Sequence, residues 1–340
     1  MEITIENALK SNYSFIDLRS EKEYGQSHIP FATSLPLLDD MERELIGRIY
    51  KQEGREKAVD VGLDAVLPRV EGLITKIKES AQRREVVLYC ARGGMRSQSV
   101  YRLFNNNPSI HLLIGGYKSY RNHFLIDLPV QIKKRKFIVF QGLTGVGKTK
   151  FLTLLSKDFD VLDLESLANH RGSVFGSLGL DQQPTQKQFE NNIYDILSKS
   201  GDTVLIEAES SKIGRLILPR DLRLKILSSP ILLLEADLDS RIELLHEEYG
   251  AKLIENKEEL TTDIWKLKRQ LGYNACEELV SLVDKGEMKK AIGFLLIHYY
   301  DPLYEHSIKK NTDRIIRSFK TDAPNTLKEI GRNLNEILYS

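Results

Sequence analysis

The chain has 340 residues, 41% hydrophobic and 29% charged, the composition of an ordinary soluble globular protein with room for two cores. Lysine and arginine total 49 against 48 acids, so the formal charge of +1 excludes a globally basic nucleic-acid binder. Two cysteines, Cys90 and Cys276, exclude a disulfide scaffold and a cysteine-based zinc site, and no apolar run approaches the ~20 residues that cross a bilayer.

The opening residues carry charge and no apolar signal segment, so the chain is expected to stay in the cytoplasm, away from membranes. Residues 1–128 alternate short apolar runs with amphipathic stretches, which predicts an α/β domain. Strands are expected at 14–18, 85–89 and 111–114, with a helix over about 97–104. Leu128-Pro129 and the basic run Lys133-Lys134-Arg135-Lys136 read as a linker. A second α/β domain, 129–340, opens on a strand at 137–140 and continues with strands at 160–163, 203–206 and 231–234. From about residue 239 the pattern is mainly helical, and the apolar stretch 291–300, which includes His298, reads as a buried helix. Local basic surface is confined to 133–136 and to Arg215, Arg220, Arg223 and Lys225; by charge alone each is a solvated face.

Leu88-Tyr89-Cys90-Ala91-Arg92-Gly93-Gly94-Met95-Arg96-Ser97 places a cysteine after a strand and before a helix. Successive amides of such a loop converge on an anion, the helix N-terminus adds partial positive charge, and Arg92 and Arg96 add full ones. Together they favour a thiolate and make Cys90 a candidate nucleophile. A buried small hydrophobe is the bland alternative for any cysteine; the two glycines and two arginines favour chemistry here. Cys276 lacks that apparatus and is expected to be structural. The Cys-x5-Arg spacing fits both a phosphatase loop and a rhodanese-like persulfide carrier. Asp17-Leu18-Arg19, Glu23-Tyr24 and His28-Ile29-Pro30 followed by Ala32 resemble the rhodanese-like superfamily, which includes a phosphatase branch.

Gly142-Leu143-Thr144-Gly145-Val146-Gly147-Lys148-Thr149 matches G-x-x-x-x-G-K-[ST] between a strand and a helical stretch at 151–156. Gly142, Thr144, Gly145, Val146, Gly147, Lys148 and Thr149 are the candidate phosphate-binding set, with the amides of 145–149 wrapping a phosphate and Lys148 balancing its charge. Thr149 is the residue that would hold Mg²⁺ in such a loop, although no residue set is assigned to a metal. The apolar strand ending in aspartate that nucleotide hydrolases use is replaced by Val204-Leu205-Ile206-Glu207-Ala208-Glu209, so a diphosphate of another kind fits as well. Asp163 and Glu165 either hold Mg²⁺ or cap the following helix. Asn169, His170, Arg171, Glu207 and Arg215 complete the candidate contacts to substrate or RNA. A lone histidine is more often structural, and only its setting raises His170.

These two loops, cysteine loop first, resemble those of the tRNA 2-selenouridine synthases. The resemblance spans nearly the whole chain. It runs through Glu42-Arg43, the stretch from Gly47 to Gly54, both loops and Gly115-Gly116-Tyr117-Lys118. It continues in Asp163-Leu164-Glu165, Leu167-Ala168-Asn169-His170-Arg171-Gly172-Ser173, Phe175-Gly176, Gln183-Pro184-Thr185-Gln186-Lys187 and Phe189-Glu190. Glu207-Ala208-Glu209-Ser210, Ile213-Gly214-Arg215 and Pro219 complete it. Departures are few: Ser27 and Phe31 stand where many rhodanese-like domains carry glycine, Ala91 where an aromatic is common, and Ala208 where an acid is frequent.

The resemblance implies a rhodanese-like domain joined to a P-loop domain and a transferase acting on the wobble uridine of tRNA. It implies that 2-thiouridine is geranylated on sulfur from geranyl diphosphate, and that selenium from selenophosphate then replaces the S-geranyl group. Cys90 would engage selenophosphate or carry a selenium adduct, with Arg92 and Arg96 beside it, and the P-loop would grip the prenyl diphosphate. An apolar pocket must hold the geranyl chain, with its lining unread from sequence. Both donors are substrates, no tightly bound cofactor is expected, and the partners are thiolated tRNA and the enzyme that makes selenophosphate. Two other readings stay open: a Cys-x5-Arg phosphatase joined to a P-loop kinase, and a P-loop switch that recruits a partner without catalysis.

Overall fold

The computed structural model describes residues 1–104, 107–172, 175–177 and 179–339, with the backbone alone at 250–255 and 338–339. Ser173, quoted above, lies outside the described residues. The chain divides into two compact units, Met1–Leu128 and Pro129–Ser340.

The first unit is built on five parallel strands: β1 (Glu2–Ile3), β2 (Ser14–Asp17), β3 (Thr33–Ser34), β4 (Val86–Tyr89) and β5 (Ile110–Leu113), in the order β1-β5-β4-β2-β3. Every residue of β4 and β5 is buried, which is why β4 reads as an unbroken apolar run and β5 as one interrupted only by His111. Ile16, Leu18, Ile77, Leu88, Val100 and Ile110 form much of the core. The central strand β4 ends at Tyr89, so Cys90 leaves the sheet at its carboxyl edge, where parallel sheets place ligands.

The second unit repeats that logic. Its sheet comprises β6 (Lys136–Gly142), β7 (Val161–Leu162), β8 (Thr203–Glu207), β11 (Ile231–Glu235) and β12 (Ile315–Lys320), all parallel, in the order β12-β11-β6-β8-β7. A separate hairpin, β9 (Lys212–Ile213) and β10 (Leu216–Ile217), lies between β8 and β11 in the chain. The central strand is β6, and the P-loop leaves its carboxyl end into the helix Lys148–Leu155.

One expectation is corrected. The stretch read as a linker is helical: a single helix runs Gly116–Lys134 with Pro129 inside it. Phe124, Leu128 and Ile132 recur at i, i+4 and i+8 and are all buried, so an apolar stripe overrides the proline signal. The region after 239 is mainly helical, as expected, with the edge strand β12 (Ile315–Lys320) the exception. Exposed Arg317, Ser318 and Lys320 disguise it, as charged residues commonly do on sheet edges.

The helices Leu238–Glu255, Lys257–Lys266, Tyr273–Asp284 and Met288–Leu295, followed by a π-helical turn Leu296–Tyr300, contribute to a second apolar core in this unit. Cys276 is fully buried there, its thiol 3.5 Å from the Ile264 carbonyl oxygen, a packing role. Among the described residues no helix is long and apolar enough to cross a membrane.

Candidate functional site

Cys90 is 3% exposed, and the Ser97 hydroxyl donates to its sulfur at 3.1 Å from the first turn of the helix Met95–Arg102. The loop is braced by a second backbone turn: Tyr117 N–H donates to Cys90 O at 2.8 Å and Lys118 N–H to Ala91 O at 3.0 Å. Gly116, at φ 57°, lies so close that a Cβ there would sit 2.2 Å from Cys90 O. The Gly115-Gly116-Tyr117-Lys118 motif therefore shapes the cysteine loop.

The two arginines differ. Arg92 is exposed on the loop. Arg96 makes a bidentate pair with Glu23, at 2.6 and 3.1 Å. Burial pushes the Glu23 carboxyl up, but its bonds and charge interaction with Arg96 outweigh that and hold it below the usual range. Glu23 is thus a positioning residue for Arg96, taken from sequence only as part of a motif. Asp17 and Arg19 form a buried pair, Arg19 Nε lying 2.9 Å from Asp17 Oδ1, with the guanidinium 4.2 Å from the Tyr117 ring centroid. That pair ties the N-terminal motif to the brace.

In the second unit, Gly145 takes φ 84°, and a Cβ there would meet Arg241 O at 3.0 Å and Leu245 Cδ1 at 2.9 Å. Lys148 donates to the carbonyl oxygens of Gly142 at 3.0 Å and Leu143 at 3.2 Å, and its ammonium lies 5.7 Å from the Tyr304 ring centroid. Thr149 donates to Glu165 Oε2 at 3.2 Å, and the Glu165 N–H donates to Glu207 Oε1 at 3.1 Å. Glu165, Glu207 and Glu209 each place a carboxylate oxygen within 4.8 Å of the others. Burial, and then repulsion from Glu209, pushes Glu165 up to about 8. Burial and the two neighbouring carboxylates push Glu207 well above the usual range, and burial raises Glu209. Burial pushes the Lys148 ammonium down while the three glutamates oppose it.

Of the remaining candidates, Asn169, His170 and Arg171 line a cavity together with Thr149 and Glu165. Asp163 caps the helix Leu164–Ala168, accepting from Ser166 N–H at 2.9 Å. Asn169 takes φ 48° at the end of that helix and donates to Asp181 O at 2.7 Å. His170 is 8% exposed, accepts from Gly172 N–H at 3.2 Å and is pushed down by burial, then by Arg171. Arg215 sits at the hairpin tip, its amide donating to Gln183 Oε1 at 2.9 Å, while Gln183 reaches Ala168 O and Ile213 O. Asn169, His170 and Arg215 thus fix the loop that carries Arg171. The Arg171 guanidinium stacks 4.5 Å from the Tyr249 ring centroid.

Sequence reasoning missed Arg241 and could not name the residues that line an apolar cavity. Arg241 is 3% exposed, donates from Nε to Thr144 O at 2.8 Å and pairs with Asp301 at 2.6 and 3.0 Å, tying the helical segment to the phosphate loop. Thr144 and Arg171 line a cavity together with Leu245, Ile264, Met288, Ile292 and Leu296. Only its placement in the first turn of the helix after β11 could have flagged Arg241. Glu209 was visible beside Glu207, but nothing local showed that both converge on Glu165.

Comparison with known proteins assigns both units. The tRNA 2-selenouridine synthase AAA domain model matches residues 135–333, and the rhodanese-like domain model matches 4–123. The tRNA 2-selenouridine synthase of Sulfurovum sp. (strain NBC37-1) is 34% identical over 337 residues, spanning 90% of this chain and 92% of its own. Those of Hydrogenovibrio crunogenus (strain DSM 25203 / XCL-2) and Marinobacter nauticus (strain ATCC 700491 / DSM 11845 / VT8) are 32% and 30% identical. They span 94% and 91% of this chain, and 95% and 92% of their own. A rhodanese-like unit followed by a P-loop unit, matched by relatives over nine-tenths of its length, places this chain in the tRNA 2-selenouridine synthase family.

Proposed function

We propose that the chain converts wobble 2-thiouridine of tRNA to 2-selenouridine by S-geranylation followed by selenation, with its two loops serving separate steps. One observation carries the first step: an apolar cavity adjoins the phosphate loop, with Thr144 common to both. A diphosphate bearing a hydrocarbon tail is the ligand class that such a pair fits, because the loop amides and Lys148 take the charge and the cavity takes the chain. The thione sulfur attacks C1 of geranyl diphosphate, the C1–O bond breaks, and pyrophosphate leaves with the electron pair. Lys148 and the loop amides stabilise that charge as it develops.

The S-geranyl group turns sulfur into a thiolate leaving group at C2. Selenium from selenophosphate arrives at the selenide level, so exchange is redox-neutral: the C2–Se bond forms, the C2–S bond breaks, and geranylthiol leaves. Cys90, with Ser97 donating to its sulfur, is the nucleophile that attacks phosphorus of selenophosphate: the S–P bond forms, the P–Se bond breaks and selenide leaves for C2, after which water cleaves the S–P bond and releases phosphate. Arg92 and the helix N-terminus offer positive charge for the phosphate. Cytoplasmic location and a selenophosphate-producing partner belong to the same reading.

The test is direct. Purified chain is incubated with thiolated tRNA, geranyl diphosphate and selenophosphate, and the tRNA nucleosides are analysed by mass spectrometry. S-geranyl-2-thiouridine followed by 2-selenouridine is expected. Hydrolysis of simple phosphate esters that Cys90→Ser abolishes, with the tRNA unchanged, would instead establish the phosphatase reading.

A further inference from the structure

The geometry points to a resident divalent-cation site formed by Glu165, Glu207 and Glu209 beside Thr149, filled before any diphosphate arrives. Three observations carry it, and none depends on the prenyl reading.

The first is spacing. One oxygen from each carboxylate lies within 4.8 Å of the other two. A hard ion with oxygen ligands at about 2.1–2.5 Å separates neighbouring ligands by about 3 Å and opposite ones by about 4–5 Å, so the three need only small shifts to share one ion.

The second is an orphaned atom. Glu207 is fully buried, its Oε1 accepts the Glu165 N–H, and its Oε2 has no hydrogen-bond partner among the described residues. A buried acceptor without a partner is unfavourable, and cations satisfy such groups. The Lys148 ammonium, whose charge acts on all three carboxylates, directs its hydrogen bonds to Gly142 and Leu143 carbonyls instead.

The third is a wall kept bare. Gly172 takes φ 66°, which favours glycine, and a Cβ there would come 2.9 Å from both Glu165 Oε1 and Glu209 Oε1, so glycine leaves those oxygens room. The 172 backbone closes over the carboxylates without filling the space between them.

The donor set decides the ion class. All ligands are oxygen, which suits Mg²⁺, Mn²⁺ or Ca²⁺ and disfavours zinc. Magnesium sites that serve phosphate transfer usually take one or two carboxylates and rely on the substrate for the rest. Three carboxylates here supply more oxygen ligands than such sites usually take from the protein, so the protein alone should hold the ion.

Manganese alone tests this. Full-length chain stripped with chelator is titrated with Mn²⁺, free ion is followed by its paramagnetic resonance signal, and thermal unfolding is recorded in parallel. The wild type should bind one Mn²⁺ and gain melting temperature. Glu207→Gln and Glu165→Gln should each weaken binding about tenfold or more and lose the metal-dependent gain while still melting cooperatively, whereas Glu71→Gln, exposed in the other unit, should match the wild type. Absence of Mn²⁺ binding by the wild type, or undiminished binding by either glutamine variant, would overturn the site. Binding that appears only after inorganic pyrophosphate is added would overturn its residence before substrate.

Discussion

Phe31 takes φ 62° with its side chain 86% exposed, at a position where rhodanese-like domains often carry glycine. Left-handed backbone disfavours residues with a Cβ by about 1–2 kcal/mol, of which glycine's greater freedom in the unfolded chain returns about 0.5–1 kcal/mol. Phe31→Gly should therefore stabilise the first unit by about 0.5–1 kcal/mol, read as a higher urea midpoint at unchanged slope. A lower midpoint would show that the Phe31 side chain contributes more than its backbone costs. The departure was legible in the sequence; its conformation was not. The same holds for Arg96, legible as a cation near Cys90, whose bond to Glu23 joins residues 73 positions apart. Sequence spacing names a charge but does not say what already neutralises it.

At the scale of elements, the strands that carry the loops were the most readable parts of the chain. β4 and most of β6 are buried on both faces and leave apolar runs, and each loop follows its strand directly. β12 was unreadable because an edge strand needs no such run. The cavity's lining was unreadable for another reason: Leu245, Ile264, Met288 and Ile292 look like ordinary helix-core residues, and only their packing leaves a space beside Thr144. If that space receives the hydrocarbon tail, Ile292→Phe should raise the apparent KM for geranyl diphosphate about tenfold. Inorganic pyrophosphate, which has no tail, should inhibit the variant and the wild type equally. Equal losses for both ligands would mean that the substitution disturbs the phosphate loop itself.

For the molecule as a whole, each unit ends its central parallel strand in a loop suited to an anion, one presenting a thiol and the other a lysine. Family membership explains why the two occur in one chain, and the physics of each loop explains why their roles should be separable. The most direct measurement is nucleoside mass spectrometry of thiolated tRNA treated with Cys90→Ser and with Lys148→Ala. Cys90→Ser should accumulate S-geranyl-2-thiouridine and form no 2-selenouridine. Lys148→Ala should slow geranylation by about 10²-fold or more, yet still convert tRNA already carrying the S-geranyl group to the selenium form. Loss of both steps in Cys90→Ser, or normal geranylation by Lys148→Ala, would contradict the division of labour between the loops.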